Sequence, residues 1–324
     1  MTLILPPTDH GLKKAAEIIK RGGLVAFPTE TVYGLGGDAL NPDSVRKIFE
    51  AKKRPPDNPL IVHVSSTDVV YTIAEVDEVA ERLMKHFFPG PLTLVMKKKR
   101  IVPDITTGGL DKVAVRMPDH EIALRLIEFS ETPLAAPSAN TAGKPSPTKP
   151  EHVIEDLGGR IDAIVDGGEV QIGIESTVLD TTTTPPRILR PGAISVEELE
   201  KYVEIELGVG VAEKYGHYET DSPLYVFTGK NVKEEIARFA DEARRKNLKV
   251  IIIGKKNVYD IPGVKVIEVG ERIDRYARNI FSALREADSE NPDIIVVEGV
   301  EEMGIGRAIM HRLSKAAKGR VFRV

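Results

Sequence analysis

The sequence predicts an α/β protein of two domains, and three observations carry that reading. The chain has 324 residues, more than one hydrophobic core ordinarily organises. Short apolar runs alternate with segments of helical periodicity along its length, the pattern of strands interleaved with helices. A stretch poor in either pattern, 208–223, separates the two series and reads as a linker.

Taken in order, Gly11–Lys20 carries apolar residues at helical spacing and closes at Arg21-Gly22-Gly23. Leu24–Phe27 is a buried-strand run that leads into Pro28-Thr29-Glu30-Thr31-Val32-Tyr33-Gly34-Leu35-Gly36-Gly37-Asp38. That segment lacks the Walker and dinucleotide spacings, so it reads either as a backbone approach for a ligand or as a glycine-rich turn with a capping threonine. A helix over Asp43–Lys53 meets Arg54-Pro55-Pro56, which cannot continue it, and Leu60–Val62 follows as a strand. The stiff Lys52–Asn58 segment suits a polyphosphate, or is a solvated helix end whose basic residues favour the C-terminal dipole. Further strands are read at Leu92–Met96, Lys112–Pro118, Ile161–Gly168 and Ser176–Asp180, with another ending in Ile188–Gly192, and helices at Asp77–Phe88 and Glu121–Phe129. Ser195, with Glu198 three residues on, opens a capped helix to Tyr202. Beyond the linker, strands Leu224–Thr228, Val250–Ile253, Val264–Val269 and Ile294–Val297 alternate with helices Val232–Lys246, Asp274–Ala287 and Arg307–Lys318, which predicts a parallel sheet. Gly304-Ile305-Gly306 reads either as a partial dinucleotide fingerprint, with Ile309 where the third glycine belongs, or as close packing, and the acid-free tail Arg312–Val324 as a basic patch.

Composition narrows the function. A net charge of −4 gives no global field toward nucleic acid or anionic lipid. No apolar run is long enough to span a bilayer and no signal peptide opens the chain, so the expectation is a cytoplasmic protein without membrane partners. The absence of cysteine excludes a disulfide scaffold, a thiolate nucleophile and cysteine metal sites.

One arrangement recurs: a strand ending in a polar or cationic residue beside Pro or Gly, at Thr29/Thr31, Arg54/Asn58, Arg116, Ser138/Asn140, Ser176 and Arg190. Ligands of α/β folds gather at strand ends, on loops the sheet holds fixed. Hydroxyls, amides and cations at so many ends point to one cavity for a large polar anion.

Seven motifs then resemble one family. They are Pro28–Leu35, Lys52-x-Arg54 with Asn58-Pro59-Leu60, Pro89-Gly90-Pro91-Leu92-Thr93, Val115-Arg116-Met117-Pro118, Pro137-Ser138-Ala139-Asn140, Glu175-Ser176-Thr177-Val178 and Arg190-Pro191-Gly192. Together the set resembles the YrdC-type threonylcarbamoyl-AMP synthases in their long form. The resemblance implies a YrdC-like twisted mixed-sheet catalytic domain over 1–207, a linker over 208–223, and a smaller Rossmann-like parallel-sheet accessory domain over 224–324. It implies a nucleotidyltransferase that condenses L-threonine, bicarbonate and ATP to threonylcarbamoyl-AMP and pyrophosphate, with Mg²⁺ carried by the ATP. The product would feed threonylcarbamoyladenosine modification of tRNA, through a downstream transferase complex. Residue by residue, Thr31, His63, Arg116, Ala136 and Ser176 would hold threonine. Lys52, Arg54, Asn58, Ser138, Asn140, Ser146 and Arg190 would hold the nucleotide. Tyr215 and Tyr218, in Lys214-Tyr215-Gly216-His217-Tyr218, would belong to a lid. The chain departs from the family in having Phe88 where a tryptophan is usual, and in the flanks of the linker motif.

Two other readings stand beside this one. A carbamoyl-adenylate enzyme of hydrogenase maturation contains a similar module but carries cysteine fingers that this chain lacks. An RNA-binding module of the same fold without catalysis would use the basic runs 52–54 and 97–100; neither the net charge nor any aromatic stacking motif favours it.

Overall fold

The computed structural model describes residues 1–208, 218–259 and 261–324. Its backbone divides into two compact units, Met1–Ala142 with Ser146–Lys214, and Gly143–Pro145 with Tyr215–Val324.

The first unit is built on a twelve-stranded mixed sheet among the described residues. Its strands are β1 (Leu3–Leu5), β2 (Val25–Phe27), β3 (Gly34–Asp38), β4 (Ile61–His63), β5 (Ala74–Glu75), β6 (Leu92–Lys98), β7 (Lys112–Arg116), β8 (Leu134–Ala135), β9 (Ala163–Val165), β10 (Thr177–Asp180), β11 (Arg187–Arg190) and β12 (Glu206–Leu207). They run in the order β1-β9-β2-β3-β8-β4-β7-β6-β10-β11-β12, with β5 added beside β6. Strands distant in sequence are thus neighbours, which brings the separated motifs to one region. β4 pairs with β7 in parallel, setting His63 opposite Arg116. β6 runs antiparallel to β7 and parallel to β10, which carries Thr93 and Ser176 to the same flank.

The glycine-rich segment after Phe27 is a strand rather than only a turn. β3 pairs with β2 and β8, and Gly36 and Gly37 are required there: an added Cβ would lie 2.7 Å from the Phe27 ring at Gly36 and 2.6 Å from Ser44 Oγ at Gly37. Helix Asp9–Lys20 starts at a Thr8 cap, and helix Pro42–Lys52 at an Asn41 cap with proline in its first turn. The latter ends where Lys53 takes a left-handed conformation, one residue before Arg54-Pro55-Pro56. Two hydrophobic clusters fill the unit, one containing Tyr33, Leu35, Ile48, Val62, Leu94 and Val115, the other Leu12, Ile19, Phe27, Leu126 and Val165. Ser195 Oγ accepts from the Glu198 N–H as a cap, but the helix it opens is a single turn, Val196–Leu199.

The second unit has a five-stranded parallel sheet of β13 (Leu224–Thr228), β14 (Val250–Gly254), β15 (Lys265–Glu268), β16 (Ile294–Glu298) and β17 (Val321–Arg323), in the order β15-β14-β16-β13-β17. Helices Val232–Arg245, Ile273–Ser289 and Ile305–Ala316 accompany it. Gly306 is a true close approach, since a Cβ there would meet Glu301 O at 2.0 Å. The C-terminal tail is not a free basic patch. Arg312 is fully buried and lies over the Tyr218 ring, Lys318 pairs with Glu219, Arg320 donates to Leu224 O, and Arg323 pairs with Glu302. Arg312 is thus buried, Lys318 and Arg323 are exposed and form surface ion pairs, and Val321–Arg323 form the edge strand β17. No helix among the described residues is long and apolar enough to cross a membrane.

Candidate active site

The centre of the site is Arg116, the last residue of β7. Its guanidinium is buried, which is tolerable only for a paired and hydrogen-bonded charge. Nη1 donates to Thr31 Oγ1 at 2.9 Å, Nε to Gly90 O at 3.3 Å, and Nη2 lies 2.6 Å from Glu30 Oε2. Thr29 fixes the loop that brings Glu30 and Thr31 there. Its hydroxyl donates to Val32 O and accepts from the backbone N–H of Thr31 and Val32, and it lies 2.9 Å from the Thr31 hydroxyl.

His63 stands beside Arg116 in the sheet and packs edge-on against Phe27. Its Nδ1 lies 3.3 Å from Ile61 O, which makes Nδ1 the protonated nitrogen and leaves Nε2 an acceptor. Burial, with the neighbouring Arg116 charge, pushes the imidazole pKa down to about 3. His63 is therefore neutral at physiological pH. Ala136 is buried next to this strand, its N–H donating to Ile61 O.

Ser176 lies on the other flank. Its hydroxyl is 2.8 Å from that of Thr93, and Arg190 Nη2 donates to Ser176 O at 2.9 Å and to its Oγ at 3.3 Å. Ser146 donates to Glu175 Oε1 at 2.6 Å, tying the loop after Asn140 to the residue before Ser176.

Lys52 sits differently from a loop cation. It is the last residue of its helix, about 1% exposed, and its ammonium donates to the carbonyls of Ser138 and Asn140. It thereby shapes the Pro137–Asn140 turn, which is also bound to β3 through Leu35 N–H on Pro137 O and Ala139 N–H on Tyr33 O. Arg54 is half-buried and folds onto its own proline-rich loop, donating to Asn58 O and Pro59 O. Tyr218 is buried in the second unit, stacked on Phe281 at 5.3 Å. Tyr215 lies outside the described residues.

Contacts thus join Thr31 with Arg116, Ser176 with Arg190, and Lys52 with Ser138 and Asn140, while the register places His63 beside Arg116. Sequence reasoning passed over Glu30, Thr93 and Glu175 as individual residues. The available signal for Glu30 was an acid between two threonines at the end of an apolar strand, where a buried counter-charge is needed.

The strand ends of this sheet thus collect a buried arginine, a neutral histidine, several hydroxyls and a lysine-braced turn. Residues 17–192 match the Sua5_yciO_yrdC family, described as telomere recombination, and residues 194–318 match the Sua5 C-terminal family, described as the threonylcarbamoyl-AMP synthase C-terminal domain. The threonylcarbamoyl-AMP synthase of Pyrococcus abyssi is 49% identical, over 97% of this chain and 96% of that one. The Bacillus subtilis threonylcarbamoyl-AMP synthase is 43% identical over 98% and 96%. The crystal structure of P. abyssi Sua5 complexed with L-threonine superposes with a TM-score of 0.95 at 46% identity, covering 100% of this chain and 99% of that one. The chain belongs to the Sua5/YciO/YrdC family, in its two-domain form.

Proposed function

We infer that this protein is a threonylcarbamoyl-AMP synthase that joins L-threonine, bicarbonate and ATP and releases pyrophosphate. The observation that carries the reading is the buried Arg116 fork, flanked by the Thr31 hydroxyl and the neutral His63. A guanidinium binds a carboxylate bidentately, which fixes the orientation of an amino acid as well as its charge. His63 Nε2, as an acceptor, suits the hydroxyl of threonine. The near full-length likeness to synthases favours catalysis over an RNA-binding role.

The nucleotide is proposed to lie on the Lys52–Asn58 segment and the Ser138–Ser146 loop, with Arg190 completing the set. Lys52 braces the turn and Arg54 supplies a charge-assisted donor to phosphate. The carbamate of threonine is already an anionic nucleophile. Its oxygen bonds to the α-phosphorus while the bond to the bridging oxygen breaks, and pyrophosphate leaves with that electron pair. Such a step requires positioning and charge stabilisation rather than a base-activated side chain. Mg²⁺ is proposed to arrive on the ATP, held by phosphate oxygens and water. In this reading the enzyme is a cytoplasmic nucleotidyltransferase, whose product passes to a tRNA-modifying transferase.

Pyrophosphate release from ATP tests the assignment. It should fall to background when L-threonine or bicarbonate is omitted, and serine should turn over less well, since a lost methyl contact costs roughly 1 kcal/mol or more. Equal turnover with glycine, serine and threonine would overturn the pocket.

A further inference from the structure

Glu30 and Arg116 form an ion pair that is close but incomplete. Both side chains are about 95% buried, and Oε2 is 2.6 Å from Nη2. Yet neither carboxylate oxygen of Glu30, nor Nη2 of Arg116, has a properly aligned hydrogen-bond partner. The other two nitrogens of Arg116 each have one acceptor, Thr31 and Gly90, and Nη1 keeps its second N–H beside Nη2 for a carboxylate. The pair therefore buries, side by side, an acceptor in need of donors and a donor in need of an acceptor. Buried polar groups left in that state are costly, and their persistence at a strand-end pocket calls for a ligand that completes both.

A free α-amino acid is such a ligand. Its carboxylate supplies the acceptor and its ammonium the donors, on adjacent atoms. We propose that Glu30 is a specificity-determining residue that receives the α-ammonium of threonine while Arg116 receives the carboxylate, so that the pocket selects the zwitterion. This rests on the threonine pocket assigned above. Glu30 is the carboxylate in contact with the Arg116 guanidinium, while Asp119 and Glu121 lie near His120. His63 and the half-buried His120 are imidazoles whose pKa values burial depresses, and His120 also feels the Glu30 charge. The Ser146-bound Glu175 is already engaged with a hydroxyl. Because Glu30 and Arg116 are oppositely charged, an acid lacking the amine gains the Arg116 contact but meets Glu30 unpaired.

Binding titrations on the full-length protein, without ATP, test this with three ligands: L-threonine, 3-hydroxybutyrate (which lacks the amine) and threoninol (which lacks the carboxylate). The wild type should bind threonine more tightly than either analogue, by about ten-fold or more, the worth of one charge-assisted hydrogen bond. Glu30→Gln should lose about ten-fold or more for threonine and threoninol while 3-hydroxybutyrate binds as well as before or better. An equal loss for all three ligands would make Glu30 merely a prop for Arg116, and unchanged binding would make it a bystander; either result overturns the inference. Should Glu30→Gln fail to fold, the wild-type panel decides: 3-hydroxybutyrate binding as tightly as threonine would refute an ammonium site. A wild type that does not bind threonine at all would overturn the threonine pocket itself, and the inference with it.

Discussion

His63 and Arg116 are register partners on parallel strands, and the guanidinium beside it helps hold the imidazole in its neutral form. The sign of the consequence follows from linkage. The imidazole pKa is depressed from 6.5 to about 3, so between those values the unfolded chain binds more protons than the folded one. Stability is therefore lost as pH falls below about 6.5, and continues to fall toward about 3. His63→Gln should shrink the stability difference between pH 7.5 and pH 5 by about 2 kcal/mol, measured by denaturant unfolding at each pH. The same decrement in both proteins would mean that His63 titrates normally.

Lys52 and Arg54, two residues apart, should fail in different ways. Arg54 is half-buried and donates to carbonyls of its own exposed loop, and Arg54→Ala should leave the fold intact while weakening ATP by about 1.5–3 kcal/mol. Lys52→Met removes the buried donor to the carbonyls of Ser138 and Asn140, and should cost about 1–3 kcal/mol of stability in addition to ATP affinity. Thermal unfolding beside ATP titration separates the two. A destabilised Arg54→Ala with normal ATP affinity would make the Arg54–Asn58 loop structural.

Much of this was legible in the sequence because local chemistry decides it. The apolar runs, the proline stop after Lys53 and the Ser195 cap fix elements within a few residues. The Gly34–Asp38 strand was ambiguous, since glycines weaken any strand signal and only the packing of Phe27 and Ser44 against them explains their presence. The tail misled for a related reason. Five cations without an acid look like a patch, but their partners Glu219, Glu302 and the Tyr218 ring are distant in sequence or lie outside the run. Candidate site residues were read from motifs, whereas the Glu30–Arg116 pairing is a property of the register and loop path, which no local spacing encodes.

Arg116 itself distinguishes charge from geometry. Arg116→Lys keeps a cation for Glu30 but removes the fork, so the protein should stay folded while KM for threonine rises about ten-fold or more and KM for ATP stays near normal. Arg116→Ala should instead lose about 3–5 kcal/mol of stability, because Glu30 is left as an uncompensated buried charge. Steady-state kinetics and urea unfolding read these separately. A lysine variant with unaltered threonine KM would place the carboxylate elsewhere.

Gly192 follows Arg190-Pro191 and lies against the backbone of Ser176-Thr177, so closely that an added Cβ would stand 2.3 Å from Ser176 C and Thr177 N. Those atoms are main chain and cannot swing aside. The neighbouring Ala193 N–H donates to Glu175 O, so the two segments are also stitched together one residue further on. Gly192→Ala must therefore push the segments apart, and the bonds from Arg190 to Ser176 depend on their apposition. The substitution should cost about 1–3 kcal/mol of stability, as overpacking does, and raise KM for both threonine and ATP, since Ser176 is assigned to one substrate and Arg190 to the other. Urea unfolding and steady-state kinetics on the folded fraction check both effects. Wild-type stability with wild-type KM values would mean that the apposition yields freely and does not position the site.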